Sequence, residues 1–217
     1  MYDDGFRAFW DEQVVPADIL IMAGTIRDRY LSATWKQFFD RSFFNGHVPA
    51  IEGKQVAYLI EGPVSQVPNL KEILTSRVMI GKANLTGIVT SEPGDPDEID
   101  AALQSLAKRA VTFSDQGYIA PATFQAVGGH KIFRDEIWGS MRAVFKADDR
   151  YYRRQGFYDF PTWNYSQRIG TRIFSFILDI PKIRREAQKN MAGHMLHPLI
   201  KAVEESPVLE KKNRTGQ

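Results

Sequence analysis

Ala17-Asp18-Ile19-Leu20-Ile21-Met22 is the stretch whose reading decides the fold. Ile19 to Met22 is a continuous apolar run, the pattern of a parallel strand covered on both faces. Upstream, Asp3 to Val15 reads as an amphipathic helix with Phe6, Phe9, Trp10 and Val14 on one face, stopped by Pro16. Downstream comes a loop from Ala23 to Leu31, then a helix cap at Ser32. The helix that follows turns Trp35, Phe38 and Phe39 inward, until Gly46-His47-Val48-Pro49 breaks it.

The same alternation repeats. Gly53-Lys54 leads into Gln55-Val56-Ala57-Tyr58-Leu59-Ile60, a second buried strand ended sharply by Glu61-Gly62-Pro63. A helix is expected from Asn69 to Ile80, with Leu70, Ile73, Leu74 and Val78 apolar, and a third strand from Leu85 to Thr90. Pro93-Gly94-Asp95-Pro96 forms a loop, and Asp95 or Asp97 caps a helix that runs to Ser114. Strands alternating with helices at these lengths imply βαβ crossovers and a parallel sheet.

After Pro121 the pattern changes. Gly128-Gly129 opens a segment dense in aromatic residues and arginine, among them Phe133, Trp138, Tyr151, Tyr152, Phe157 and Trp163. Helices are expected over residues 132–155, 166–177 and 181–205, followed by a polar tail.

Composition narrows the chemistry. The 217 residues carry 43% hydrophobic and 25% charged side chains and a net charge of +2, ordinary values that give no reason to expect a general nucleic-acid surface. The absence of cysteine excludes disulfides, thiolate metal sites and a cysteine nucleophile. The chain opens on Met1-Tyr2-Asp3-Asp4 with no apolar targeting segment behind it. Its most apolar segment, Ile173 to Leu178, is far shorter than the ~20 residues of a membrane span. A cytoplasmic protein without a transmembrane segment is expected. No G-x-G-x-x-G, nucleotide P-loop or G-x-S-x-G motif is present. His194 and His197 are three apart without a nearby acidic triad, and read as a surface pair rather than a metal site.

Ala17 to Met22, Ser32-Ala33-Thr34-Trp35-Lys36 and Phe38-Phe39-Asp40-Arg41, in that order, resemble the middle of the flavodoxin-like NAD(P)H-dependent FMN reductases. The resemblance runs from Asp3 to Thr123 and covers the later half of the family's core. The family's first strand and its phosphate-binding loop have no counterpart. It implies an α/β fold: a flavodoxin-like parallel sheet, incomplete at its N-terminus, over residues 1–123, with a helical C-terminal extension over 124–209 and a tail over 210–217. It also implies FMN as cofactor, held weakly or not at all by this chain alone, and NAD(P)H as substrate. Hydride would pass from the nicotinamide to the flavin and its electrons on to an unknown acceptor.

In such a sheet the cofactor sits outside the carboxyl ends of the strands. Two loops are expected there. The first contributes Gly24, Thr25, Ile26, Arg27, Tyr30 and Ser32 beside the ring, and the second Glu61, Gly62 and Pro63, with Val64 and Ser65 behind, at its polar edge. The same loops read equally as βα turns that need Gly, Pro and Ser for geometry. Family members carry Pro and an aromatic residue in the first loop, where this chain has Thr25 and Arg27. Arg27 and Arg29 suit a phosphate or carboxylate, or open solvent. No catalytic acid or base stands out.

Residues 130–189 hold 13 Lys/Arg against 7 Asp/Glu. With interleaved aromatics, that pattern fits a single-stranded nucleic acid or an anionic membrane, but more simply a core on one helix face and solvated arginines on the other. A homodimer through residues 129–163 is expected from the amount of aromatic surface. A flavodoxin-like assembly module that has lost flavin is the alternative to the enzyme.

Overall fold

The computed structural model describes residues 4–27, 29–45, 47–139, 141–158 and 165–204. The chain divides into two compact units. One holds residues 1–137 and 147–158, the other 138–146 and 159–217.

The first unit is built on a sheet of order β2-β1-β3-β4, with β1 at Ile19–Arg27, β2 at Tyr30–Leu31, β3 at Gln55–Glu61 and β4 at Asn84–Thr90. β1 pairs with β3 and β3 with β4 in parallel, as the apolar runs require. The β3–β4 register slips between Val56 and Ala57.

Side chains alternate across these strands. On one face, Val56, Tyr58 and Ile60 of β3 meet Phe39 of α2 (Ala33–Arg41) and Leu70, Leu74 and Val78 of α3 (Pro68–Ile80). Leu20 and Met22 of β1, with Trp35 and Phe38, extend this core. α4 (Pro96–Asp115) packs on β4 and β3 from the other face, where Leu106 closes on the bare backbone of Gly87. Proline at the first position of both α3 and α4 suits a site where no intrahelical N–H bond is available. Asp95 caps α4 by accepting from the Asp97 N–H at 2.9 Å. Ser32 stands at the N-cap of α2, yet its side chain makes no capping bond.

The expected loop from Ala23 to Leu31 is corrected by the structure. β1 continues to Arg27 and turns back through a tight hairpin into β2, with Ile26 opposite Leu31 and Arg27 opposite Tyr30. Arg29 adopts a left-handed φ of 67° in that turn. The hairpin also covers part of the sheet edge. Because the Gln55 N–H bonds to the Asp18 carbonyl at 2.9 Å, alternation turns the peptide groups of Ile19 and Ile21 away from β3. Among the described residues no backbone bond reaches them. On the α4 side of β1, Ile21 is 59% exposed.

Two helices also depart from expectation. α1 starts at Phe6 and runs to Phe9, then widens into a π-helical turn over Trp10–Val14 that buries Trp10 and Val14. The single helix expected over 132–155 is two. α5 spans Phe124–Gly139, with Gly128 and Gly129 inside it, and α6 spans Lys146–Arg154 after a short 3-10 turn. Gly129 faces Ile80 closely enough that a Cβ there would press on it.

The second unit contains α7 (Tyr165–Leu178) and α8 (Pro181–Glu204), which pack on each other. Lys146 pairs with Asp179 there, and Arg184 reaches the same carboxylate at 2.8 Å. No described helix is long and apolar enough to cross a membrane. The expected tail, together with Phe160 and Trp163, lies outside the described residues.

Candidate functional site

At the carboxyl ends of the three parallel strands lies a recess of about 500 Å³. Gly24 and Thr25 of β1, Leu59 and Glu61 of β3, Val89 and Thr90 of β4, and Ile99 and Leu103 of α4 line it. Its position follows from topology, since three parallel strands end at one rim and α4 roofs only part of it.

The rim is laced by side-chain hydrogen bonds. Thr25 Oγ1 donates to Glu61 Oε2 at 2.7 Å, joining β1 to β3. The Gly62 N–H donates to Ser91 Oγ at 2.9 Å, joining the end of β3 to the end of β4. Ser65 donates to Glu92 through its hydroxyl, and also through its N–H at 3.2 Å, while Thr90 Oγ1 donates to Glu92 at 3.2 Å. The Ser65 hydroxyl bond, above all, holds the Glu92 carboxyl below its ordinary pKa.

The structure thus brings Gly24, Thr25, Glu61 and Gly62 to one rim. Gly62 has a φ of 118°, a conformation that favours glycine, and Ile26 packs closely over it. Ile26 otherwise joins the core, and Pro63 leads into the 3-10 turn Val64–Gln66. Gly24, Thr25, Ile26 and Arg27 belong to a strand rather than a loop, and Tyr30 to the return strand of the hairpin. Arg27 and Arg29 are exposed and do not line the recess. Ser32 stays at the start of α2. Sequence reasoning missed Ser91 and Glu92, whose signal was their place directly after the third apolar run.

No known family model matches the chain, and no curated protein is significantly similar to it.

A flavin's two halves fit this rim unequally. The apolar floor of Leu59, Val89, Ile99 and Leu103 suits a flat ring. The phosphate is not served, because none of the described residues lining the recess is Lys or Arg. Two backbone groups at the strand ends are already engaged, the Gly62 N–H by Ser91 and the Ala23 carbonyl by the Trp35 indole N–H at 3.0 Å.

The remaining singled-out residues lie elsewhere. His47 stacks on Phe133 with centroids 4.2 Å apart, and its backbone N–H donates to the buried carboxylate of Asp148 at 3.2 Å. His130 lines a separate cavity of about 360 Å³ with Glu52 and Lys82, and burial, first, lowers its pKa. His197 is exposed on α8, and the His194 side chain is outside the described set. Among the described residues no cluster of three His, Asp or Glu is placed to hold a metal ion.

Proposed function

We propose that the recess at the carboxyl ends of β1, β3 and β4 receives the ring of a flavin and that the chain serves NAD(P)H-dependent flavin oxidoreduction of the FMN reductase type. The observation that carries this reading is the convergence of Gly24, Thr25 and Glu61 on one apolar-floored rim where parallel strands end. A bound flavin would supply the acceptor for hydride from a nicotinamide and pass electrons to an acceptor still to be identified. The chain's own part is orientation. Thr25 and Glu61 hold the rim in register, and Leu59, Val89 and the α4 side chains exclude water from one face.

The phosphate makes no matching contact in this recess, so the proposal is specific about affinity. Charge-assisted hydrogen bonds contribute roughly 1.5–3 kcal/mol each, and forgoing two of them weakens binding by about a hundredfold or more. FMN and riboflavin should therefore quench on titration with similar, weak affinity. Tight, stoichiometric FMN with riboflavin much weaker would show that a phosphate site exists. No quenching by either flavin would favour the second reading, an assembly module of the same fold without flavin, which the engaged Gly62 N–H and Ala23 carbonyl support. A cytoplasmic location and a homodimer belong to the same proposal.

A further inference from the structure

A second cavity, of about 330 Å³, lies on the other side of the sheet and wholly within the first unit. It is distinct from the recess and independent of flavin. Aromatic and aliphatic side chains make most of its wall, with Phe38, Phe133 and Ile80 prominent. Its polar lining is notable for what it offers. Arg77 of α3 is half-buried, with its guanidinium 4.0 Å over the Phe39 ring and Nη2 donating to Ser42 Oγ at 2.5 Å. Among the described residues no carboxylate lies within ion-pair distance of it. Burial, first, lowers the pKa of this guanidinium, which still stays charged at neutral pH. Trp10 is 4% exposed, and its indole N–H is buried with no hydrogen-bond partner among the described residues. Arg77 and Ser42 therefore bring a cation and a hydroxyl to the wall of one apolar chamber that Trp10 also lines.

A half-buried guanidinium without a direct ion-pair partner costs stability in the empty protein. One ligand class relieves that cost while filling the space. We propose that this cavity binds a small organic acid with a flat apolar body, its carboxylate meeting Arg77 and its ring lying among Phe38, Phe133 and Trp10. Arginine suits the carboxylate because its planar fork offers parallel donors. Aromatic walls suit a ring by offset or edge contact. A volume near 330 Å³ accommodates one or two fused rings but no dinucleotide.

The test uses 2-naphthoate and its neutral isostere 2-naphthamide against the full chain. Isothermal titration gives affinity, and ¹⁵N-labelled indole resonances report the site, with the Trp10 signal assigned by Trp10→Phe. The expected result is saturable 2-naphthoate binding that moves the Trp10 indole resonance. Loss of a charge-assisted pair should make 2-naphthamide, and 2-naphthoate with Arg77→Gln, at least roughly tenfold weaker. Equal affinity for acid and amide overturns the proposal, as does a shift confined to Trp35 or the absence of saturable binding. If Arg77→Gln fails to fold, because it also loses its Phe39 and Ser42 contacts, the acid–amide pair and the Trp10 resonance still decide the matter.

Discussion

Gly24 is where a single hydrogen atom does the most in this fold. A Cβ there would overlap the indole of Trp35, the ring whose N–H donates to the Ala23 carbonyl at 3.0 Å. Gly24→Ala should displace the ring, break that bond and lower stability by about 1–3 kcal/mol, the usual cost of overpacking. Urea unfolding measures it, and a variant as stable as the parent would mean that the ring yields freely. Tyr58 gives a second prediction at this scale. Burial, above all, pushes its phenol up to about 12 from 10.0, with Arg77 opposing. The folded pKa lies above the unfolded one, so the stabilisation is complete below pH 10 and lost as the pH rises through about 12. Absorbance at 295 nm, compared between the parent and Tyr58→Phe, should show one phenol titrating near 12. A difference curve centred near 10 would place that ring in water.

Among the elements, β3 and β4 are joined beneath the end of α4 by a buried polar network. Gln55 is 1% exposed and donates through Nε2 to the Tyr118 carbonyl at 2.8 Å. Its Oε1 accepts from Asn84 Nδ2 at 2.6 Å and from Thr86 Oγ1 at 3.2 Å, while the Ala120 N–H donates to Asn84 Oδ1 at 3.2 Å. The network pins the segment leaving α4 to the start of two strands. Asn84→Ala leaves the Ala120 N–H without its acceptor and Gln55 Oε1 with one donor fewer, and should destabilise by about 1–3 kcal/mol. Hydrogen exchange at Ala120 should accelerate in the variant. Unchanged exchange there would show that water substitutes for the amide. This network was invisible in the sequence, where Gln55 read as the first residue of an apolar strand and Asn84 as the residue before one. What was legible was period and punctuation, in the three apolar runs and in Asp95 or Asp97 as the cap after the third of them, while the openings of α3 at Pro68 and α4 at Pro96 come from the structure. The β1–β2 hairpin was not, because Gly24 and Thr25 carry turn chemistry and two-residue β2 owes its strand character to pairing alone.

For the whole molecule the open matter is association. The aromatics expected to cover a dimer contact are largely engaged within the first unit. Phe133 stacks on His47, Tyr152 is fully buried, and Phe157 packs on Tyr151 and Tyr152. Part of the apolar surface that remains is on α7, where Ile169, Ile173 and Phe174 are at least half exposed and Phe176 is 78% exposed. Large apolar side chains exposed together along one helix commonly meet a partner. A homodimer through α7 is therefore expected, read as a doubled mass in light scattering at micromolar concentration. Phe176→Glu should return it to a monomer without altering the fold by circular dichroism. A parent chain that is monomeric throughout would end the dimer proposal.

The sequence by itself determined the parallel α/β layout, because apolar runs of strand length separated by helical periods have few other ways to bury both faces. It also located the two segments that meet at the carboxyl rim. Tertiary structure alone decided which side chains within them face the recess, since a strand that continues through Gly24 to Arg27 sends alternate residues to opposite faces. It alone placed Trp10, Ser42 and Arg77 around one chamber. Those residues lie more than thirty positions apart in the sequence, and no local pattern records that an indole, a hydroxyl and a cation so far apart line the same empty space.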